Sequence, residues 1–167
     1  MQGYEDVTIY ELSPEREQEL LHKQIECNFV WTNKDGHGLG VIMNYVARNG
    51  SIWLTATSQR ARIKALKRDP RASVVISSMG TDMGPGKQLT YKGTVTLHED
   101  QKTKDWFYPA MAKIISPYPA PTVEAAIEYL DTPLRVVIEL IPEKAIKFDG
   151  DAISKASYEG TVPGAEA

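Results

Sequence analysis

WLTATSQRARIKALKRDPR, residues 53–71, decides the fold by the change of period inside it. Ile52 to Thr57 is β-branched and aromatic, the composition of a strand. From Ser58 onward the apolar residues return as Ile63 and Leu66, a helical spacing, and Asp69-Pro70 ends the pattern because the residue before a proline is steered out of the helical region. Ser58 is the expected N-cap, its hydroxyl accepting from an amide of the first turn. Six cations fall in this run: Arg60, Arg62, Lys64, Lys67, Arg68 and Arg71. On a helical wheel Arg60, Lys64 and Lys67 lie opposite the Ile63/Leu66 stripe, whereas Arg62 lies beside it. A cation at the margin of a buried face needs a partner, since an unpaired one is costly. Arg62 is therefore the candidate to meet an anion, with Arg60 second, because the amides and dipole of a helix N-terminus favour negative charge. Lys67 and Arg68 read as solvated charges that complement the C-terminal end of the dipole.

Working outward, Asn49-Gly50 is a strong hairpin signal and joins Ser51–Thr57 to a preceding strand over 38–47, in which Leu39, Val41, Met43 and Tyr45 alternate with Gly40, Ile42, Asn44 and Val46. Cys27, Phe29 and Trp31 give the same period to another strand, closed by a turn at Asp35-Gly36. Ser13-Pro14-Glu15 opens a helix that runs to about Gln24. On the other side, Ala72–Ser78 is a short strand, 79–87 (MGTDMGPGK) is a loop, and Gln88–Leu97 is a fifth strand. A helix follows from Glu99 to about Ile114, with Pro109 predicting a kink or break. The prolines of 116–121 exclude a helix, Thr122 caps another over 123–130, and Leu134–Ile141 is a long strand, with a shorter one at 145–148 after Pro142. These hairpins imply a mainly β (α+β) antiparallel barrel or sandwich with peripheral helices. Residues 1–150 form one expected domain and 151–167, small and polar, a flexible C-terminal tail.

Composition narrows the function. The 167 residues carry a formal net charge of -3, which argues against a nucleic-acid partner and a membrane surface. No apolar run is long enough to span a bilayer or serve as a leader, so a cytoplasmic protein is expected. Cys27, the only cysteine, falls on a strand and reads as an inert core residue. His22, His37 and His98 lack the spacing of metal ligands, so no metal is expected. The loop at 79–87 fails the nucleotide-loop pattern, and nothing proposes a nucleophile, so no catalytic side chain is assigned. Trp31, Trp53 and Trp106 are expected to be mostly core.

The run WLTATSQRARIKALKRDPRASVVIS, preceded by DGHGLGVIMNYVARNG and followed by KQLTYKGTVTLHED, KDWFYPAMAKI and TPLRVVIELIPEKAIKFDG, resembles the flavin- and deazaflavin-binding split barrels related to pyridoxamine 5'-phosphate oxidase. The likeness covers residues 20–150. It implies a six-stranded antiparallel split β-barrel with peripheral helices, a homodimer that shares two cofactor sites, and an oxidoreductase that binds FMN and transfers hydride to or from a small organic substrate. The alternatives it implies are the deazaflavin F-420 as cofactor, and a non-catalytic flavin or haem carrier. The family's phosphate-holding cations map onto Arg60 and Arg62, and Lys64 would border a longer anionic tail. Val41, Ile42, Met43 and Asn44, with Leu54, Thr55, Ala56 and Thr57, correspond to backbone that lines the flavin ring. Gln88, five residues before Gly93, matches a glutamine that reaches the flavin from the partner subunit. The oxidase's C-terminal Arg-x-His has no counterpart in AIKFDGD, so oxidation of pyridoxamine phosphate is not expected.

Overall fold

The structure, a computed structural model, describes residues 7–159. Its strands are β1 (Glu26–Thr32), β2 (Gly38–Asn44), β3 (Val46–Arg48), β4 (Ser51–Thr57), β5 (Arg71–Ser77), β6 (Lys87–His98) and β7 (Arg135–Asp149). The helices are α1 (Pro14–Lys23), α2 (Ala61–Arg68), α3 (Gln101–Ile115), α4 (Val123–Leu130) and α5 (Gly150–Glu159). The strands form one sheet in the order β2-β1-β5-β6-β7-β4-β3, and every ladder is antiparallel. Its two outer strands, β2 and β3, are consecutive in the chain and separated by Tyr45 alone. The sheet must therefore curl until its edges meet, which makes the split barrel of the expected class, with seven strands rather than six.

Alternation fixes which side chains fill the barrel. Phe29, Leu54, Ile63, Val74, Ile76, Leu89, Ile138 and Leu140 are fully buried in one cluster, each contributing about 1.5–3 kcal/mol of burial. The neighbours of opposite parity, Trp53 and Val137, face outward and pack against Phe107, Met111 and Leu130 of α3 and α4. Trp31 and Trp53 are buried as expected. Cys27 is also buried, and its surroundings push the thiol up to about 12.

Four expectations are corrected. The helix after β4 begins at Ala61, with Arg60 at the N-cap position and no side-chain cap. Ser58 instead stands in the turn just past β4, its amide donating to the Leu134 carbonyl at 2.7 Å. Pro142 does not split β7, because a register shift between Lys92 and Gly93 absorbs it; a bulge is where a strand tolerates a proline. Pro109, on the exposed side of α3, does not break the helix, which runs on over Gln101–Ile115. Finally, the tail is helical over Gly150–Glu159. Asp149 Oδ1 accepts from the amides of Asp151 and Ala152, Arg16 pairs with both aspartates at 2.9 Å, and the buried Lys87 pairs with Asp151 at 2.6 Å. The rest of the tail, 160–167, lies outside the described residues.

The hairpin at Asn49-Gly50 has positive φ at both positions, 53° and 78°, as a tight two-residue turn requires. Gly93 is constrained differently: a Cβ there would lie 2.0 Å from the Ile141 carbonyl oxygen. Because the obstacle is backbone at the bulge, Gly93→Ala should cost about 1–3 kcal/mol or more, read as a lowered midpoint in urea unfolding. Cys27, with its thiol held protonated, should react with a thiol reagent at pH 8 only as fast as the protein unfolds, so labelling accelerates in step with added urea.

Candidate functional site

With the barrel interior filled by side chains, the space for a ligand lies outside it. A cavity of about 220 Å³ sits where β2, β4 and α2 meet the loop and helices between α3 and β7. Strand β4 supplies Thr55, whose Oγ1 donates to the Val136 carbonyl at 2.8 Å and so presents lone pairs to the cavity. Strand β2 ends there with Met43 and Asn44; Asn44 Nδ2 donates to the Ile25 carbonyl at 3.3 Å, which leaves its Oδ1 available. Helix α3 contributes Met111 and Ile115, and α4 contributes Tyr129 and Leu130.

Two arginines enter this cavity from different elements. Arg62, in the first turn of α2, is half-buried, and its Nε is buried with no hydrogen-bond partner among the described residues. Burial, with Arg60 beside it, lowers the guanidinium from its usual value, yet an arginine remains protonated. Arg135 opens β7 opposite Thr57. Its Nε donates to the Leu130 carbonyl at 3.3 Å and Nη2 to that of Tyr129 at 3.4 Å, with the guanidinium carbon 5.6 Å from the centre of the Tyr129 ring. No acidic side chain lines the cavity. A pocket with two fixed cations and no carboxylate is suited to an anion.

Of the residues singled out in the sequence, Met43, Asn44, Thr55 and Arg62 come together here. Thr57 is half-buried beside Arg135 in the ladder. Val41 packs on the barrel core, and Leu54 and Ala56 are buried inside it, so these three can offer a ligand only backbone. Ile42 points outward and is 65% exposed. Arg60 and Lys64 are exposed on α2. Gln88 is exposed on β6, between Ser77 and Phe148, and does not line the cavity. Arg135 and Tyr129 escaped the sequence reading. The available signal was a lone cation opening the otherwise apolar run LRVVI. The histidines are dispersed, with His98 taken by Glu139 at 2.8 Å, and no group of metal-ligating residues occurs among the described residues. No helix among them is long and apolar enough to cross a membrane.

No curated protein matches the sequence. Among solved structures the fold is similar to the conserved hypothetical protein Rv2991 of Mycobacterium tuberculosis, at 16% identity and a TM-score of 0.70 over 86% of this chain and 88% of the other. It is also similar to an F420 reductase, at 18% identity and 0.59 over 77% and 94%, and to a FAD-binding protein of Mesorhizobium loti, at 16% and 0.60 over 81% and 94%. At such identities these likenesses establish the fold. The family model for pyridoxamine 5'-phosphate oxidase matches residues 13–148, most of the chain and all seven strands but for the final residue of β7, and the protein belongs to that family.

Proposed function

We propose that the protein is a flavin-dependent oxidoreductase that binds FMN through its phosphate at Arg62. The observation that carries this reading is the buried Arg62 Nε with no partner among the described residues, in a cavity without acids. A phosphate oxygen would satisfy that donor and offset the desolvation of the guanidinium. Arg60, exposed at the N-cap position of an uncapped helix, adds charge at the same end. Thr55 Oγ1 and Asn44 Oδ1 offer acceptors to N–H groups of the ligand, and Met43, Met111 and Ile115 exclude water. The cofactor, when bound, supplies the hydride chemistry, and no side chain of this chain has to act as acid or base. The deazaflavin F-420 is the second reading, favoured by the Arg60-Ala61-Arg62 spacing and by Lys64 exposed one turn further on.

The site is completed by a second copy of the chain. The cavity is smaller than the roughly 300 Å³ at which pockets for organic ligands begin, so one chain encloses only the anchoring end of FMN. The outward faces of β1, β5 and β6 present Val30, Val75 and Thr90 half-buried, next to the exposed Ile42 and Ile146. An isologous contact through this surface would cover them and bring Gln88 to the partner's flavin.

The absorption spectrum of the purified protein, followed by titration with FMN and with F-420, tests the cofactor. Arg62→Ala should weaken FMN binding about 10- to 100-fold, the value of a charge-assisted bond of about 1.5–3 kcal/mol. Lys67→Ala, on the exposed face of α2, should change it less than about twofold; equal small effects would remove Arg62 from the site. For the shared site, replacing Gln88 with Glu should lower FMN affinity and, by placing charge in the contact, shift the protein toward monomer in sedimentation. A monomer that retains full affinity would sink that arrangement.

A further inference from the structure

Once Arg62 is given to the cofactor phosphate, Arg135 is left over. It stands on the same face of the sheet as Thr55 and Thr57 by register, and it is tied to the C-terminal carbonyls of α4 rather than to α2. Those two bonds are long and carry no negative charge. No carboxylate pairs with Arg135 among the described residues. Two of its five N–H donors are used in these bonds, and the residue lines a cavity that holds no acid.

Beside it lies a second hollow of about 320 Å³, lined by Pro119, Ala120, Pro121, Ala125 and Tyr129. Pro119 and Tyr129 line both spaces, so the two adjoin. The lining is apolar, two prolines, two alanines and the Tyr129 ring, and the only side-chain polar atom among these residues is the Tyr129 hydroxyl. Tyr129 is 63% exposed although it sits at the mouth of the proposed redox site. A flat apolar body fits such a lining, and a planar guanidinium with free donors forks onto a carboxylate. Taken by itself Arg135 is a single cation away from any helix N-terminus, which suits a single carboxylate better than a phosphate dianion.

We propose that Arg135 and the Pro119–Tyr129 hollow form the substrate subsite, taking a planar apolar molecule with a single carboxylate, the ring system in the hollow and the carboxylate on Arg135. This assignment rests on the reading of the adjoining cavity as the cofactor site. Arg135 is then a specificity-determining residue, and the loop and helix between α3 and β7 select the substrate.

The probe is 2-naphthoate, followed by calorimetry with the protein both as isolated and loaded with FMN. It should bind saturably, and the neutral isostere 2-naphthamide about tenfold or more weakly. Arg135→Gln should weaken naphthoate by about tenfold or more, leave naphthamide unchanged, and lower FMN affinity by much less than Arg62→Ala does. Tyr129→Ala, at an exposed position that the fold does not depend on, should weaken both probes, and it carries the test if Arg135→Gln fails to fold. Naphthoate that does not bind, or binds equally to Arg135→Gln, overturns the proposal. So does a loss of FMN affinity in Arg135→Gln as large as in Arg62→Ala, which would hand Arg135 to the cofactor. If FMN does not bind at all, the cofactor reading falls by itself, while naphthoate binding to the protein as isolated still decides whether Arg135 recognises a carboxylate.

Discussion

A single residue closes the sheet. Tyr45 lies between the first and last strands of the sheet order, and both edges converge on it. Its amide donates to the Ile25 carbonyl at 3.1 Å and its hydroxyl to that of Leu21 at 3.0 Å. The closing corner is thereby bonded to the end of α1 and the residue preceding β1. Burial of the ring drives the phenol well above its ordinary value, so it stays neutral and keeps donating. Closure has two consequences. The inward side chains pack into a continuous apolar core that leaves no room for a cofactor, and the end of β2 is brought close to β4. Met43 and Asn44, which precede Tyr45, therefore face the same space as Thr55.

The roof of that space is α3, and it is fixed by a polar and aromatic cluster on the outer face of the sheet. Glu139 of β7 accepts from Ser51 at 2.9 Å and meets His98 at 2.8 Å. Two residues on, Asp100 caps α3 through the amide of Thr103 at 2.9 Å. Trp53 and Trp106 meet edge to face at 4.8 Å, and the guanidinium of Arg48 lies 4.1 Å above the Trp106 ring. Such contacts contribute about 0.5–1.5 kcal/mol each. Their larger effect is positional, because the helix they pin delivers Met111 and Ile115 to the cavity one and two turns further along.

Local physics made most of the fold legible. Alternation in β1, β2 and β4, the Asn49-Gly50 turn and the Ser13 and Thr122 caps depend on neighbours a few residues away, and sequence reports those directly. The wheel position of Arg62 was legible for the same reason. What escaped was set by distant partners. Ser58 looks like a cap, but Leu134 holds its amide at the end of β4 and the helix starts three residues later. Pro142 looks like a strand end, but the glycine opposite, Gly93, admits a bulge. The tail past Gly150 looks featureless, but Arg16 and Lys87, far back in the chain, hold its first turn. Arg135 belongs to this second group: its meaning comes from the register that sets it beside Thr57 and from an α4 that ends against it.

The contrast between two cations, one buried and one half-buried, supports the proposed site. Lys87 is only 3% exposed, yet its ammonium is satisfied within the chain, by the carbonyls of Met83 at 2.8 Å and Pro85 at 3.1 Å and by Asp151 at 2.6 Å. The fold thus supplies full partners to a cation that serves structure. Arg62 is less buried and so cheaper to leave bare, but its Nε is cut off from both protein and solvent. A buried donor without an acceptor costs about 1–3 kcal/mol, and the same chain has avoided that cost at Lys87. Retaining it at Arg62, in a cavity lined by a second arginine and no acid, makes sense if the missing acceptor arrives with a ligand. The deficit in the free chain is then part of the binding energy, since an anion that reaches Arg62 gains a bond the protein has left unmade.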